Sequence, residues 1–240
     1  MVKKGDFIEI IFVGKIKETG QIFDLNDMEE AKKNNIYDPK QKYEPVIVCV
    51  GKGDVVKGLD YALEGKEVGK EFTVEVSAEE GFGKRDAKQV RLLSASSFKE
   101  QEMKPYPGMP ISLNDKEGII TSVSGGRIMV DFNHPLAGRN LQYTIKITKI
   151  VENDDEKVKA FMKLMAGNDL GAHLKGDVAY INMKLPGEVM TELEKKLKER
   201  LPKITKVEQE VPEKKEVPEK VSKGDKPAAK KEPAKIESKK

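Results

Sequence analysis

The sequence predicts an α+β chain assembled from pieces: an antiparallel sheet around one short helix, a small β domain inserted into that sheet, and a C-terminal α/β module. Three observations lead there. Residues 1–83 alternate apolar and polar positions in short runs bounded by Gly, Pro or polar turns, and one helix-like run interrupts them. From Lys84 to Asp131 the runs become shorter and the turns closer, after which a long strand pattern resumes at Asn140. Beyond Val151 the apolar spacing changes to a helical one in two segments.

The elements follow in order. "DFIEIIFVGKI" reads as a strand, "TGQIFD" as a turn entering a second, "EPVIVCVGKG" as a third and "GKEFTVEVSAEEGFG" as a fourth. Between the last two, "DVVKGLDYALEG" places Val55, Val56, Leu59 and Leu63 on one side of a short helix, an α+β pattern. "KQVRLLSASSF" then supplies a short strand and turn. "MPISLNDKEGIITSVSGGRIMVDF" supplies three more strands, connected through Asn114–Gly118 and Ser124–Gly126. "NLQYTIKITKIV" is the member the first sheet otherwise lacks, so the intervening residues read as an insert. The expected domains are 1–83 with 132–151, the insert 84–131, a module at 152–211 and a tail at 212–240.

In the module, "DDEKVKAFMKLMAGNDLG" spaces Val158, Phe161, Met162, Leu164 and Met165 as on a helix that Gly167 can stop. "DVAYINMKL" and "ITKVEQEV" flank a second helix, whose stripe is Val189, Met190, Leu193, Leu197 and Leu201. So few strands make a marginal core, and self-association as a homodimer through 152–211 is the expected remedy. The tail holds ten lysines against six acids, leaving a balance of −1 for the rest of a chain whose net charge is +3. Rich in Lys, Glu and Pro, it is expected to be disordered from Pro212. Its interleaved acids and lack of aromatics favour a solvated spacer over contact with RNA or a ribosome.

Several classes of function are excluded or disfavoured. One cysteine forms no intramolecular disulfide, and one cysteine with two histidines cannot fill an ordinary zinc site, so neither metal nor cofactor is expected. No run approaches the ~20 apolar residues of a membrane span, and charges crowd the apolar segment of "MVKKGDFIEIIF", so no membrane is expected and the cytoplasm is the default location. Gly53 and Gly58 have P-loop spacing, but Leu59-Asp60 stands where Lys and Ser or Thr would hold phosphate and magnesium. Cys49, inside "VIVCV", reads as a small buried hydrophobe, and His134 and His173 lack an identifiable nucleophile partner.

What remains is aromatic and branched residues beside turns. "VVKGLDYALEGKEVGKEFTVEVSAEEGFG", followed after the insert by "NHPLAGRNLQYTIKI", closely resembles FKBP-type peptidyl-prolyl isomerases of the SlyD kind in their long archaeal form. The resemblance covers residues 1–151 well and 152–211 more weakly. It implies a bent antiparallel sheet wrapping a short helix over an apolar pocket, with an insert-in-flap domain that holds unfolded chains. Catalytic positions carried over are Phe23, Asp24, Val56, Phe82 and Tyr143, with the Val56 N–H donating to a substrate carbonyl. Substrate-binding positions are Phe12, Val48, Val55, Leu59, His134 and Leu136, with His134 at the rim. Phe12 and Phe82 stand where many members carry Tyr, and Leu59 where many carry Trp. The implied partners are unfolded or partly folded proteins with X–Pro bonds. In the insert, Met103, Met109, Ile111, Leu113, Ile119, Ile120, Ile128 and Met129 are divided between core and surface, with Met residues as the adaptable contacts.

Overall fold

The structure is a computed structural model that describes residues 1–99, 103–114, 116–167 and 171–210, together with the backbone of 234–236. In chain order the elements are β1 (Phe7–Ile16), β2 (Ile22–Leu25), α1 (Met28–Lys33), β3 (Val46–Cys49), α2 (Lys57–Leu63) and β4 (Glu71–Val76). There follow β5 (Val90–Ser94), α3 (Ala95–Lys99), β6 (Pro110–Leu113), β7 (Lys116–Ser124), β8 (Arg127–Asp131) and β9 (Leu141–Val151). The remainder comprises α4 (Asp154–Ala166), β10 (His173–Lys175), β11 (Val178–Ile181), α5 (Gly187–Arg200), β12 (Lys206–Gln209) and β13 (Ala234–Ile236). The chain is α+β and divides into two compact units, residues 1–82 with 139–216, and residues 83–138 with 217–240.

In the first unit the sheet runs β2-β1-β9-β4, with β3 also on β1. β1 is the organising strand: Phe7 to Ile10 pair with β3, while Val13 to Lys15 pair with β2 on the same edge, and β9 runs antiparallel along the other edge. The register shifts at Gly14/Lys15 against β2 and at Glu9/Ile10 against β9. On one face, Ile8, Ile10, Val48, Val50, Leu141, Tyr143, Ile145 and Ile147 close over Leu59 and Leu63 of α2.

The other face is covered by the C-terminal segment. Phe7, Cys49 and Val151 share a core with Val158, Phe161 and Met162 of α4, Ala179 and Ile181 of β11, and Leu193 and Leu197 of α5. Since strand side chains alternate faces, Val46, Val48 and Val50 join the α2 core while Ile47 and Cys49 join this one. β10-β11-β12 form a small sheet in which β11 and β12 are parallel, a βαβ crossover through α5. Residues 152–211 therefore do not stand as a separate module with a marginal core. Their apolar faces pack on the first sheet of the same chain.

The second unit is a sheet in the order β13-β6-β7-β8-β5, with Ile111, Leu113, Ile120, Ile128 and Val130 packed on Phe98. Of the eight apolar residues expected here, Ile111, Leu113, Ile120 and Ile128 are core, Met103 and Met109 pack half-buried against it, and Ile119 and Met129 are exposed. Residues 132–138, expected with the first domain, belong to this unit. Phe132 packs on its core, the Asn133 side chain bonds Asp86 and Asp131, and the Gly138 N–H donates to Gly83. In the tail, Ala234–Ile236 is a strand parallel to β6, a departure from the expected disorder. The other residues of 212–240 lie outside those described.

Candidate active site

The α2 core is open at one end. Where β3 stops along β1 and β2 begins, the gap is spanned by Asn26, whose Oδ1 accepts from the Phe12 N–H at 2.6 Å and whose Nδ2 donates to the carbonyls of Ile10 (3.0 Å) and Glu44 (3.2 Å). A buried amide with its partners in place fixes the backbone that carries Phe12. Across the opening, the turn from β3 to α2 carries Val55 and Val56, and the segment after β4 carries Phe82.

The result is a cavity of about 390 Å³ lined by Phe12, Phe23, Asp24, Val48, Val55, Val56, Leu59, Phe82 and Tyr143, together with Ile10, Val46, Asp54 and Leu164. Nine of the eleven residues singled out from sequence thus face one space. The other two, His134 and Leu136, lie in the second unit, where His134 Nδ1 accepts from the Leu136 N–H at 3.2 Å and organises its own turn. Sequence reasoning missed Ile10, Val46, Asp54 and Leu164. Leu164 belongs to α4, far beyond the segments that carry the resemblance.

Aromatic edges shape the wall. Phe23 meets Tyr143 edge-on at 5.7 Å and 89°, and Phe82 at 6.4 Å and 88°, while Phe12 tilts against Tyr143 at 6.3 Å. Gly14 makes room for them: a Cβ there would stand 2.7 Å from Phe23 Cζ and 3.1 Å from Tyr143 Cε1. Asp24 is exposed at the rim, yet the apolar wall crowding its carboxyl raises its pKa, with the Leu25 N–H pulling the other way. Burial, helped by the neighbouring Asp24 charge, pushes the Tyr143 hydroxyl up to about 12, so it stays a neutral phenol. Among the described residues no acceptor in the chain takes the Val56 N–H, an orphan at the start of α2 that borders the cavity.

The turn that presents Val55 and Val56 is held by three charged side chains. Asp60, buried on α2, accepts from the N–H groups of Gly51 (2.7 Å) and Gly53 (2.9 Å), both at positive φ. Asp54 accepts from the Cys49 N–H at 2.8 Å. Arg200, at the end of α5, reaches Asp54 Oδ1 at 2.5 Å and the Lys52 carbonyl at 3.1 Å, and its guanidinium lies 5.0 Å from the Phe161 ring. The "GKGD" pattern that fails as a phosphate loop is therefore a carboxylate-braced turn. Cys49 beneath it is a buried thiol pushed up to about 11, chiefly by burial and then by the Asp54 charge, which accords with a packing role.

Comparison with known proteins agrees with this geometry. Residues 1–98 match the model of the FKBP-type peptidyl-prolyl cis-trans isomerase family, and residues 91–136 match that of the FKBP26 IF domain. A short-type peptidyl-prolyl cis-trans isomerase from Methanocaldococcus jannaschii is 33% identical over 156 residues, 65% of this chain and 98% of that protein. SlyD, an FKBP-type peptidyl-prolyl cis-trans isomerase, is 33% identical over 119 residues in Haemophilus influenzae and over 133 residues in Escherichia coli. Those alignments take in 48% and 54% of this chain, and 62% and 64% of the relatives. The chain belongs to the FKBP-type peptidyl-prolyl cis-trans isomerases. It is an isomerase of the SlyD-like kind, carrying the inserted domain.

Proposed function

We propose that the aromatic-walled cavity of the first unit is the prolyl site, and that the chain accelerates X–Pro isomerisation in folding proteins while its insert holds their apolar segments. The observation that carries this is the convergence of nine residues, drawn from six stretches of sequence, on one apolar space with a single raised carboxyl and an orphan N–H at its edge. The reaction needs no nucleophile. An X–Pro bond resists rotation by ~18–20 kcal/mol because resonance places partial charge on O and N, and the twisted transition state loses that polarity. Phe23, Phe82 and Tyr143 receive the proline ring and disfavour the planar dipole, and Val56 N–H holds the carbonyl so that the turn occurs about one bond. Asp24 stands at the rim, beside the ring. Uncatalysed exchange takes tens to hundreds of seconds, slow enough to limit folding.

The holding function is supported by the outer face of the insert sheet. Leu92 of β5 is paired with Met129 of β8, and these are 60% and 42% exposed; Ile119 of β7, opposite Asp131, is 42% exposed. An apolar face tethered in the same chain raises the effective concentration of prolines at the cavity. The cytoplasm is the proposed location, and no helix among the described residues is long and apolar enough to cross a membrane. The tail as spacer or RNA contact belongs to the same proposal.

A protease-free assay on a short proline peptide should show accelerated exchange, and a rate equal to the uncatalysed one would reject the prolyl site. Replacing residues 83–138 by a short linker should spare short-peptide catalysis and abolish catalysis of refolding. Undiminished refolding activity would reject the role given to the insert.

A further inference from the structure

The cavity has a neighbour beyond Leu164. A second cavity of about 360 Å³ lies between β3 and α4, and the two share Val46 and Leu164 as lining residues. Its floor is Pro45, Val46 and Ile47. Its other wall is one face of α4, where Glu156, Ala160, Lys163, Leu164 and Gly167 recur at helical spacing while Val158, Phe161 and Met162 turn into the core behind. The charged groups on its lip are already matched: Lys163 pairs with Glu44 at 2.7 Å, Lys159 with Asp155 at 2.6 Å and Glu156 with Lys149 at 2.7 Å. What the groove offers is therefore apolar surface with no net charge to recruit an ionic ligand.

We infer that this groove is a subsite for the polypeptide flanking the isomerised proline, so that α4, outside the family's catalytic segment, selects substrates with an apolar residue next to X–Pro. This rests on reading the first cavity as the prolyl site. Continuity identifies the occupant: a chain whose proline ring fills the first cavity must leave across its wall, and Val46 and Leu164 are that wall and the start of the groove. Leu164 is thus a specificity residue that touches both the proline and its neighbour. Ala160, one turn earlier, is small enough to leave the groove open.

The test compares a minimal Ala-Pro tetrapeptide with versions extended by Leu or Phe on one side or the other of the X–Pro pair. In the wild-type chain kcat/KM should be at least roughly tenfold higher for the extension that enters the groove, since a single methylene in an apolar pocket is worth about 10- to 200-fold. Ala160→Trp, which fills the groove, should bring the ratio of extended to minimal kcat/KM close to one. An unchanged ratio would overturn the inference, as would a wild type indifferent to extension on both sides. A second measurement does not depend on the variant folding: a benzophenone at the flanking residue should crosslink to the wild type within residues 45–47 or 156–167, and crosslinks confined elsewhere would overturn it. A wild type silent on the minimal peptide overturns the prolyl site itself, a different failure with a different signature.

Discussion

Arg200→Met isolates the contribution of the C-terminal segment to the catalytic turn. Arg200 and Asp54 form an ion pair whose side chains are 8% and 5% exposed, and Met keeps an apolar stem while removing the guanidinium from Asp54 and from the Phe161 ring. Among the described residues, Asp54 would then stay buried with the Cys49 N–H as its one remaining partner. Removing one member of a buried pair costs about 3–5 kcal/mol. The lower end applies here, because among the described residues Arg200 Nε has no hydrogen-bond partner even in the native state. A loss of about 3 kcal/mol corresponds to a fall in Tm of roughly 6–12 °C for a unit of this size. Because the pair anchors Lys52 and Asp54, immediately before Val55 and Val56, kcat/KM on a minimal peptide should fall roughly tenfold at temperatures where the variant is folded, equivalent to ~1.4 kcal/mol of transition-state stabilisation. Chemical denaturation and a protease-free peptide assay measure the two effects. In a cycle with Asp54→Asn the two losses should be strongly non-additive. Arg200→Met within about 0.5 kcal/mol of wild type, or additive single losses, would refute the bracing argument, since ±0.5 kcal/mol is what an ordinary surface change gives.

Gly14→Ala puts a methyl 2.7 Å from Phe23 Cζ, which moves the ring rather than the backbone, so kcat/KM should drop several-fold with a loss of stability of only about 1 kcal/mol, read by denaturation and kinetics on one preparation. Asp24→Asn should flatten the acid limb of the pH–kcat/KM profile that this carboxyl sets, a limb moved upward by the apolar wall that raises the Asp24 pKa; an unchanged limb would assign it elsewhere. Cys49 has a folded pKa raised to about 11, so its contribution to stability is complete below the unfolded thiol pKa and is lost as pH rises through about 11; denaturation midpoints should decline from pH 9 to pH 11, less steeply in Cys49→Ala. Ending the chain at Val151 uncovers Phe7, Ile47 and Cys49, so that fragment should unfold at lower denaturant and self-associate on light scattering, whereas a stable monomer would contradict the shared core.

The first sheet was legible because its strands are short apolar-rich runs, each closed by a turn, and α4 because Asn153, the acids after it and Gly167 mark both ends. α1 was overlooked although Asp27 caps it, accepting from the Glu29 and Glu30 N–H groups, because only Ala31 of its six residues is buried and no apolar stripe announces it. The larger omission was the placement of residues 152–211. Its signal stood in "PVIVCV": an unbroken apolar run means a strand covered on both faces, and α2 can cover only one. Read that way, Ile47 and Cys49 ask for a partner, and the stripe of α4 supplies it. His134 and Leu136 were placed at the pocket by resemblance alone, and periodicity carries no information on which unit a turn between two strands joins. Leu164 could be recognised as apolar and helical but not as a pocket residue, since its neighbour Val46 is more than a hundred positions away.

The most direct test of the central claim is exchange spectroscopy on a short peptide containing one proline, with the amide of Val56 observed in the same samples. If the aromatic cavity is the prolyl site, substoichiometric protein accelerates cis/trans exchange, and saturating peptide shifts the Val56 N–H together with its neighbours Val55, Phe82 and Tyr143. Exchange at the uncatalysed rate, or acceleration with these four signals unmoved, would contradict it.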